Sequence, residues 1–381
     1  MKKVLHVIGS LHIGGSQAFV MNLYRNIDLS QIQFDFVVFQ EDRQGFYDEV
    51  ESRGGTIYTA QQYKGINHID FVLWWKNFFQ QHPEYQVVHG HVRSTASIYL
   101  AEAKKQGRYT IAHSHSTSNG TGISKIIKNT LQIPLKYMDN YCFSCSDKAG
   151  EWLFGKKKTL DKSKYVVIPN AIDLMRFSFH EQIRRDIKEQ YGLQNKFVVG
   201  HIGRLTTPKN HKFLIDVFQE TKKLVPQAHL LLVGDGELKE ELHSYCKQHD
   251  LLNDVTFAGA QTETEKYYSA MDVFVFPSLW EGLGIVVIEA QASGLPCILS
   301  EAIPQDVAIT DLVKYYNLNQ NPSEWAAAIS QYSTCKRNKL SEDNLNQMKK
   351  FDIVYISKEI EKFYLDLMEG NKNATISFKI G

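Results

Sequence analysis

The stretch PSLWEGLGIVVIEAQASG, residues 277–294, holds two glutamates, Glu281 and Glu289, separated by seven residues that include Gly282 and Gly284. A carboxylate only accepts hydrogen bonds, so such a pair suits hydroxyl-rich groups such as a sugar's vicinal diol. The glycines let the backbone approach a ligand closely, and an apolar helix beginning near Gly284 turns its first N–H groups to the same place. Two plainer roles compete: Glu281 as a charge favourable to the helix dipole, and Glu289 on a solvated face. The apolar neighbours Val287, Ile288 and Ala290 fit the second of these poorly. In GRLTTPKN, Arg204 and Lys209 flank a proline-containing turn after another apolar run. Together they can hold one diphosphate, arginine as a bidentate fork and lysine as a point charge, although each alone is an ordinary surface residue. Near the start, Gly14 and Gly15 sit where a helix begins, which offers free N–H groups to an anion or simply makes a tight turn. The sum of these features describes a nucleotide-sugar: diphosphate on the cations and helix N-termini, diols on the carboxylates.

The elements that must place these residues alternate. KVLHVIG precedes SQAFVMNLYRNI, QVVHGH precedes STASIYLAEAKKQG, and KFVVGHIGR precedes NHKFLIDVFQETKKL. Likewise AHLLLVGDG precedes ELKEELHSYCKQHDL, and DVFVFPS precedes GIVVIEAQASG. Strand then helix, repeated, means parallel sheets with crossover helices. The rhythm fades over 173–195, which is polar and charged, and then restarts. The expected architecture is α/β, two Rossmann-like doubly wound domains over 1–175 and 176–350, with a helix over 351–370. Ligands of such sheets bind beyond the carboxyl ends of the strands, which is where the residues above fall.

Composition narrows the classes. The 381 residues are 43% hydrophobic, enough for two cores and too much for a disordered chain. No run approaches the ~20 apolar residues of a spanning helix. The N-terminus reads as a first strand and lacks a signal peptide's long apolar core, so a cytoplasmic location is expected. Five cysteines, an odd number, fit reduced thiols, and Cys142 and Cys145 read as small core or loop residues. The net charge of +1 argues against a general nucleic-acid binder. Residues 1–180 carry 21 Lys and Arg against 15 Asp and Glu, and the remainder 22 against 27. A basic first half suits an anionic membrane surface or substrate, and equally ordinary scatter. The absent GxGxxG disfavours a nicotinamide-dependent dehydrogenase.

With HIGGSQAFVMNL (12–23), VVHGH (87–91), AHSHS (112–116), VIPNAID (167–173), GRLTTPKN, LLLVGDGE (230–237), VTFAGAQ (255–261) and the E-x7-E run in that order, the chain resembles a retaining family 4 glycosyltransferase of the GT-B fold. The type is that of bacterial capsule and exopolysaccharide assembly. Two departures stand out: Ser16-Gln17 after the glycine pair, and Asn170-Ala171 where the family often has Asn-Gly. The resemblance implies two domains facing across a cleft, with the tail helix crossing back to the first.

It also implies roles. Arg204 and Lys209 would bind the diphosphate and stabilise the leaving group. Glu289 would hold the ribose. Glu281 would hold the donor sugar, helped by backbone N–H groups over Gly282, Leu283, Gly284 and Ile285. Gly15 would lie near the distal phosphate, Gly259 near the base, and His115 near the donor sugar, with His91 and His113 as weaker candidates. The implied reaction is transfer of a hexose from a nucleotide-sugar, UDP-sugar favoured, to a saccharide or lipid-linked acceptor with retention. No metal or other cofactor is expected, because two cations and helix dipoles neutralise the diphosphate. The acceptor side is the first domain, where DFVLWWKNFF (70–79) and KIIKNTLQIPLKY (125–137) offer core packing or peripheral contact with the inner membrane surface. The alternatives are a UDP-N-acetylglucosamine 2-epimerase-like enzyme, whose carboxylate and histidine set is not evident, and a non-catalytic nucleotide-sugar sensor, which would have lost Arg204, Lys209 or Glu281.

Overall fold

The computed structural model describes residues 1–12, 14–40, 43–115, 129–138, 140–281, 283–371 and 374–376. Among the described residues the chain divides into two compact units: Met1–Ala171 joined by the tail that begins at Ile353, and Ile172–Asp352.

The first unit is built on a seven-stranded sheet: β1 (Lys2–Val7), β2 (Ile32–Val38), β3 (Ile57–Thr59), β4 (Tyr85–Gly90), β5 (Tyr109–Ser114), β6 (Tyr141–Ser144) and β7 (Tyr165–Val167). Its order is β3-β2-β1-β4-β5-β6-β7, and every pairing is parallel. Helices cover both faces of such a sheet, so its strands read as apolar runs; all seven residues of β2 are buried. The helix Gly15–Asn26 buries Phe19, Val20, Leu23 and Tyr24. In the helix His68–Gln81 the aromatic run resolves into a core stripe: Phe71, Trp75, Phe78 and Phe79 are buried, while Ile69 and Leu73 face outward. Of the segment 125–137, residues 125–128 lie outside the described residues. Ile133–Lys136 is a 3-10 turn that buries Leu135 and exposes Ile133. Cys142 is buried on β6 and Cys145 follows it, both as free thiols.

The second unit has six parallel strands: β8 (Phe197–Ile202), β9 (Ala228–Val233), β10 (Val255–Gly259), β11 (Val273–Phe276), β12 (Cys297–Ser300) and β13 (Val313–Tyr316), ordered β10-β9-β8-β11-β12-β13. Within the polar stretch 173–195 lies a helix, Glu181–Gln190, that the fading rhythm concealed. Its inner face is polar for a reason: Arg184 and Lys188 donate to the two oxygens of Asp272, at 2.5 and 3.2 Å, and the same carboxylate accepts the Val198 N–H.

The tail helix Ile353–Met368 buries Ile353, Ile356, Ile360, Phe363, Tyr364 and Leu367 in the first unit's core, among Phe19, Leu23, Phe34 and Phe143. The two ends of the second unit lie side by side: the Ile172 N–H donates to the Phe351 carbonyl at 2.9 Å, and Ile172 bridges Asp352 in parallel. Ile360 is fully buried, so Ile360→Ala should cost about 2–5 kcal/mol, whereas Lys362→Ala on the exposed face should stay within about 0.5 kcal/mol. Urea denaturation of the two variants checks this. Equal midpoints would mean that the tail helix adds nothing to the first unit.

Candidate functional site

In the second sheet, β8 and β11 are neighbours, and the chain winds outward from them in opposite directions. Such a switch point leaves a crevice beyond the carboxyl ends of the strands. The loop after β8 carries Arg204 and Lys209, and the loop after β11 carries Glu281. Arg204 is exposed, whereas Lys209, at the end of the short turn Thr207–Lys209, is largely covered. The Lys209 ammonium donates to Glu281 Oε1 and stands 4.7 Å from the centroid of the Phe276 ring. A further bond from the Leu279 N–H to the Pro208 carbonyl, 2.8 Å, ties the two loops. The structure thus brings Lys209 and Glu281 into direct contact, although their proposed partners are different parts of one ligand.

The helix Ile285–Ala292 starts here. Gly284 is its N-cap at φ 82°, a left-handed conformation that a side chain would strain. Leu283 and Ile285 are half-buried beside it, and Gly282 lies outside the described residues. Next door, Gly234 closes the loop after β9: a Cβ there would stand 2.0 Å from the Gly203 carbonyl oxygen. The Gly234 N–H in turn donates to the carbonyl of Gly259 at 2.8 Å, which places Gly259, at φ 72°, on the rim of the same group of loops.

Glu289, one turn further along the helix, is not a solvated face. Its Oε2 accepts the Tyr268 hydroxyl at 2.7 Å. Burial pushes the Glu289 carboxyl up to about 7, against the pull of that hydrogen bond. The Tyr268 phenol, buried beside a carboxylate, is raised well above its ordinary value and stays protonated.

In the first sheet the order reverses between β1 and β4. Gly15 opens its helix there, with open space where a Cβ would point. Ser16 donates to Gln17 Oε1 at 2.9 Å, and Gln17 donates to the Ser10 carbonyl at 3.2 Å, so the departure from the usual residues builds a local loop clasp. His115 follows β5, and its Nε2 lies 2.8 Å from Nδ1 of His91, which follows β4. Burial holds the His115 imidazole down at about 3 and the His91 ring well below its ordinary value, so both are neutral at pH 7. A concavity of about 330 Å³ beside them is lined by Gly9, Ser10, Gln17, Tyr63 and Ser94 among others. Another, of about 370 Å³, lies at the opposite ends of β5 and β6 around Arg108 and Tyr141, away from these residues.

The profile of the family described as Glycosyl transferases group 1 matches residues 183–350, nearly the whole second unit. Over 347 residues, 89% of each chain, the protein is 34% identical to the putative glycosyltransferase EpsF of Bacillus subtilis. The chain belongs to the group 1 glycosyltransferases. A second relative of this glycosyltransferase, at 30% identity over 57% of this chain and 58% of its own, is the UDP-Gal:alpha-D-GlcNAc-diphosphoundecaprenol alpha-1,3-galactosyltransferase of Escherichia coli. Among solved structures, HepE of Anabaena in complex with UDP superposes with a TM-score of 0.75 at 19% identity, covering 96% of this chain and all of HepE. That likeness shows the fold, which is GT-B.

Two functional neighbours escaped the sequence reading of this glycosyltransferase. Tyr268 lies on the helix Thr264–Ala270, and nothing in TEKYYSA marks one tyrosine as a partner for Glu289. His6, one residue before the end of β1, donates to or accepts from His91 at 3.0 Å; a lone histidine in an apolar strand resembles any core residue.

The Glu289 environment sets a pH signature. Between its ordinary value of 4.5 and about 7 the folded chain holds a proton that the unfolded chain has released, so stability falls as pH rises through that window and changes no further above it. Glu289→Gln removes this titration and keeps an acceptor for Tyr268. The thermal midpoint of the variant, relative to wild type, should climb from about pH 4.5 to 7 and then level off. A difference that stays constant across that series would overturn the buried-acid assignment.

Proposed function

We propose that this glycosyltransferase transfers a hexose from a nucleotide-sugar, UDP-sugar favoured, to a saccharide or lipid-linked saccharide with retention of configuration, in exopolysaccharide or capsule assembly. The observation that carries the donor reading is the switch point of the second sheet. Exposed Arg204, the Lys209–Glu281 pair and the N-terminus at Gly284 meet there within one crevice. HepE was solved with UDP, and the Escherichia coli relative is named for a UDP-galactose donor and a diphosphoundecaprenol-linked acceptor. Both support a UDP-sugar, and the second supports a lipid-linked acceptor met at the inner face of the membrane by a cytoplasmic enzyme. Among the described residues, no helix is long and apolar enough to cross a membrane.

In this reading the Lys209–Glu281 pair is a resting state. As the donor enters, the Lys209 ammonium turns to the diphosphate and Glu281 takes up sugar hydroxyls, so each charge changes partner and neither is left bare. Arg204 forks onto the same diphosphate. Glu289 accepts from the ribose hydroxyls, Gly259 borders the base, and backbone N–H groups from Leu283 to Ile285 face the sugar. In the first unit, Gly15 serves the distal phosphate and His115 the donor sugar. Its polar 330 Å³ concavity offers the hydroxyl and amide groups that a saccharide needs. Transfer breaks the bond from the anomeric carbon to the phosphate oxygen and forms one from that carbon to the acceptor oxygen on the same face. The departing phosphate takes the acceptor's proton. Arg204, Lys209 and the helix N-terminus stabilise the charge that develops on that phosphate. This charge balance is also why we assign no metal.

A panel of UDP- and GDP-sugars, scored by protection against thermal unfolding, tests the donor class; protection by none of them would refute it. Arg204→Ala and Lys209→Ala should each lower kcat by roughly 10²–10³, the usual loss for one preorganised donor, with unchanged circular dichroism. Near-wild-type turnover in both would sink the diphosphate assignment. Turnover should also persist in excess EDTA, and complete loss restored by Mg²⁺ or Mn²⁺ would show that a metal does what is assigned here to the two cations.

A further inference from the structure

Glu289 shares its surroundings with a second carboxylate and one cation. The helix Thr264–Ala270 carries both Glu265 and Tyr268, and residues three apart lie on one face of a helix. Tyr268 donates to Glu289 Oε2 at 2.7 Å, and Glu265 Oε2 accepts from Arg176 Nη2 at 3.0 Å. Arg176 comes from the segment that opens the second unit, where its backbone N–H donates to Asp173 Oδ1 at 3.0 Å. The next residue, Phe177, sets its ring 5.9 Å from that of Tyr268, between centroids. One short segment thus brings a cation to Glu265 and an apolar ring to Tyr268. The Glu265 side chain is largely covered, 11% exposed, and that of Arg176 is half exposed.

Few other charges surround Glu289 among the described residues. Its own helix, IVVIEAQA, holds none. Arg337 binds the Ser293 and Gly294 carbonyls beyond the far end of that helix. Cys297 on β12 neighbours Tyr268, and burial pushes its thiol well up, so it is uncharged at neutral pH. That leaves Arg176 and Glu265. Burial pushes the Glu289 carboxyl up to about 7; the Tyr268 hydroxyl and the Arg176 charge pull it down, and the Glu265 charge pushes it further up. A carboxyl group accepts at both oxygens only when ionised, which is what a diol needs. A carboxyl poised near neutral pH changes its ionised share with small changes of nearby charge.

We propose that Arg176 and Glu265 are positioning residues of opposite sign that set the ionised share of Glu289, and through it the hold on the nucleotide's ribose. The second half of this rests on the assignment of Glu289 to the ribose. The first half does not.

The first half is tested on the intact protein without ligand. With ¹³C-labelled glutamate, the Glu289 carboxyl signal, assigned by its loss in Glu289→Gln, is followed as pH is raised. Arg176→Met should move its midpoint up and Glu265→Gln should move it down, each by about half a pH unit or more. A loosened fold lets in water and moves both midpoints down, so opposite signs separate charge from packing. Shifts of the same sign, or no shift, overturn the proposal.

The second half is read from the UDP dissociation constant by calorimetry. Ratios to wild type at each pH cancel the titration of UDP itself. Around pH 7, Arg176→Met should bind UDP about two- to fivefold more weakly. Glu265→Gln should bind it at most about twofold more tightly, because only the protonated share of Glu289 is left to recover. Two units higher, with Glu289 ionised in all three proteins, both ratios should return to one. A deficit of Arg176→Met that persists there would make Arg176 a direct ligand of the nucleotide and overturn its positioning role. With 2′-deoxy-UDP the differences at pH 7 should shrink. Midpoints that move as expected while UDP binding stays unchanged leave the charge relation standing and overturn its link to the ribose. If wild type does not bind UDP, the UDP-donor reading falls and takes the second half with it, and the carboxyl midpoints still decide the first.

Discussion

The handedness of parallel crossovers governs the rest of this molecule. A strand–helix–strand connection is right-handed, so a sheet that starts in its middle and grows first one way and then the other must contain two neighbouring strands whose following loops part. Both sheets do this, between β1 and β4 and between β8 and β11. The loops there part, and at the second sheet they are rejoined by the Lys209–Glu281 pair and by the Leu279 N–H on the Pro208 carbonyl. Gly15, His91, Arg204, Lys209 and Glu281 all stand at these two places.

At the second of them the two carboxylates of one motif have been given opposite electrostatics. Glu281 is paired with Lys209, and the cation is further held against the Phe276 ring. Glu289, eight residues on and one turn into the helix that follows, is pushed up to about 7 by burial, against the pull of its Tyr268 partner and of Arg176. One carboxylate is held in an ion pair, and the other sits close to the pH at which it changes between donor and acceptor. The motif supplies both groups at a fixed spacing, and the packing makes them different reagents.

Much of this was legible in the chain. Apolar runs alternating with helical patterns gave the two doubly wound units, and the rule that ligands collect beyond strand ends pointed to Arg204, Lys209 and Glu281 before any geometry was known. What escaped has a physical reason in each case. Helix Glu181–Gln190 packs through ions gathered on Asp272, so its inner face lacks the apolar period that betrays other helices. The Lys209–Glu281 contact joins residues far apart in sequence through strand order, which local pattern does not encode. His6 looked like filling because burial, not neighbours in sequence, gives it a partner. The histidine pairs His89/His91 and His113/His115 were visible as motifs, but the bond between His91 and His115 depends on which strands are adjacent.

The tail helix has a consequence for synthesis. Six of its side chains complete the hydrophobic core of the first unit, and they leave the ribosome only after all of Ile172–Asp352. The unit that is made first is thus finished last, after a delay of roughly 10–40 s at ordinary elongation rates. Throughout that interval Phe19, Leu23 and Phe34 have an open side, while the second unit, whose residues are contiguous, can close behind them. The nascent chain therefore passes through a stage in which its carboxyl half is native and its amino half is waiting, the inverse of the usual order for a two-unit protein.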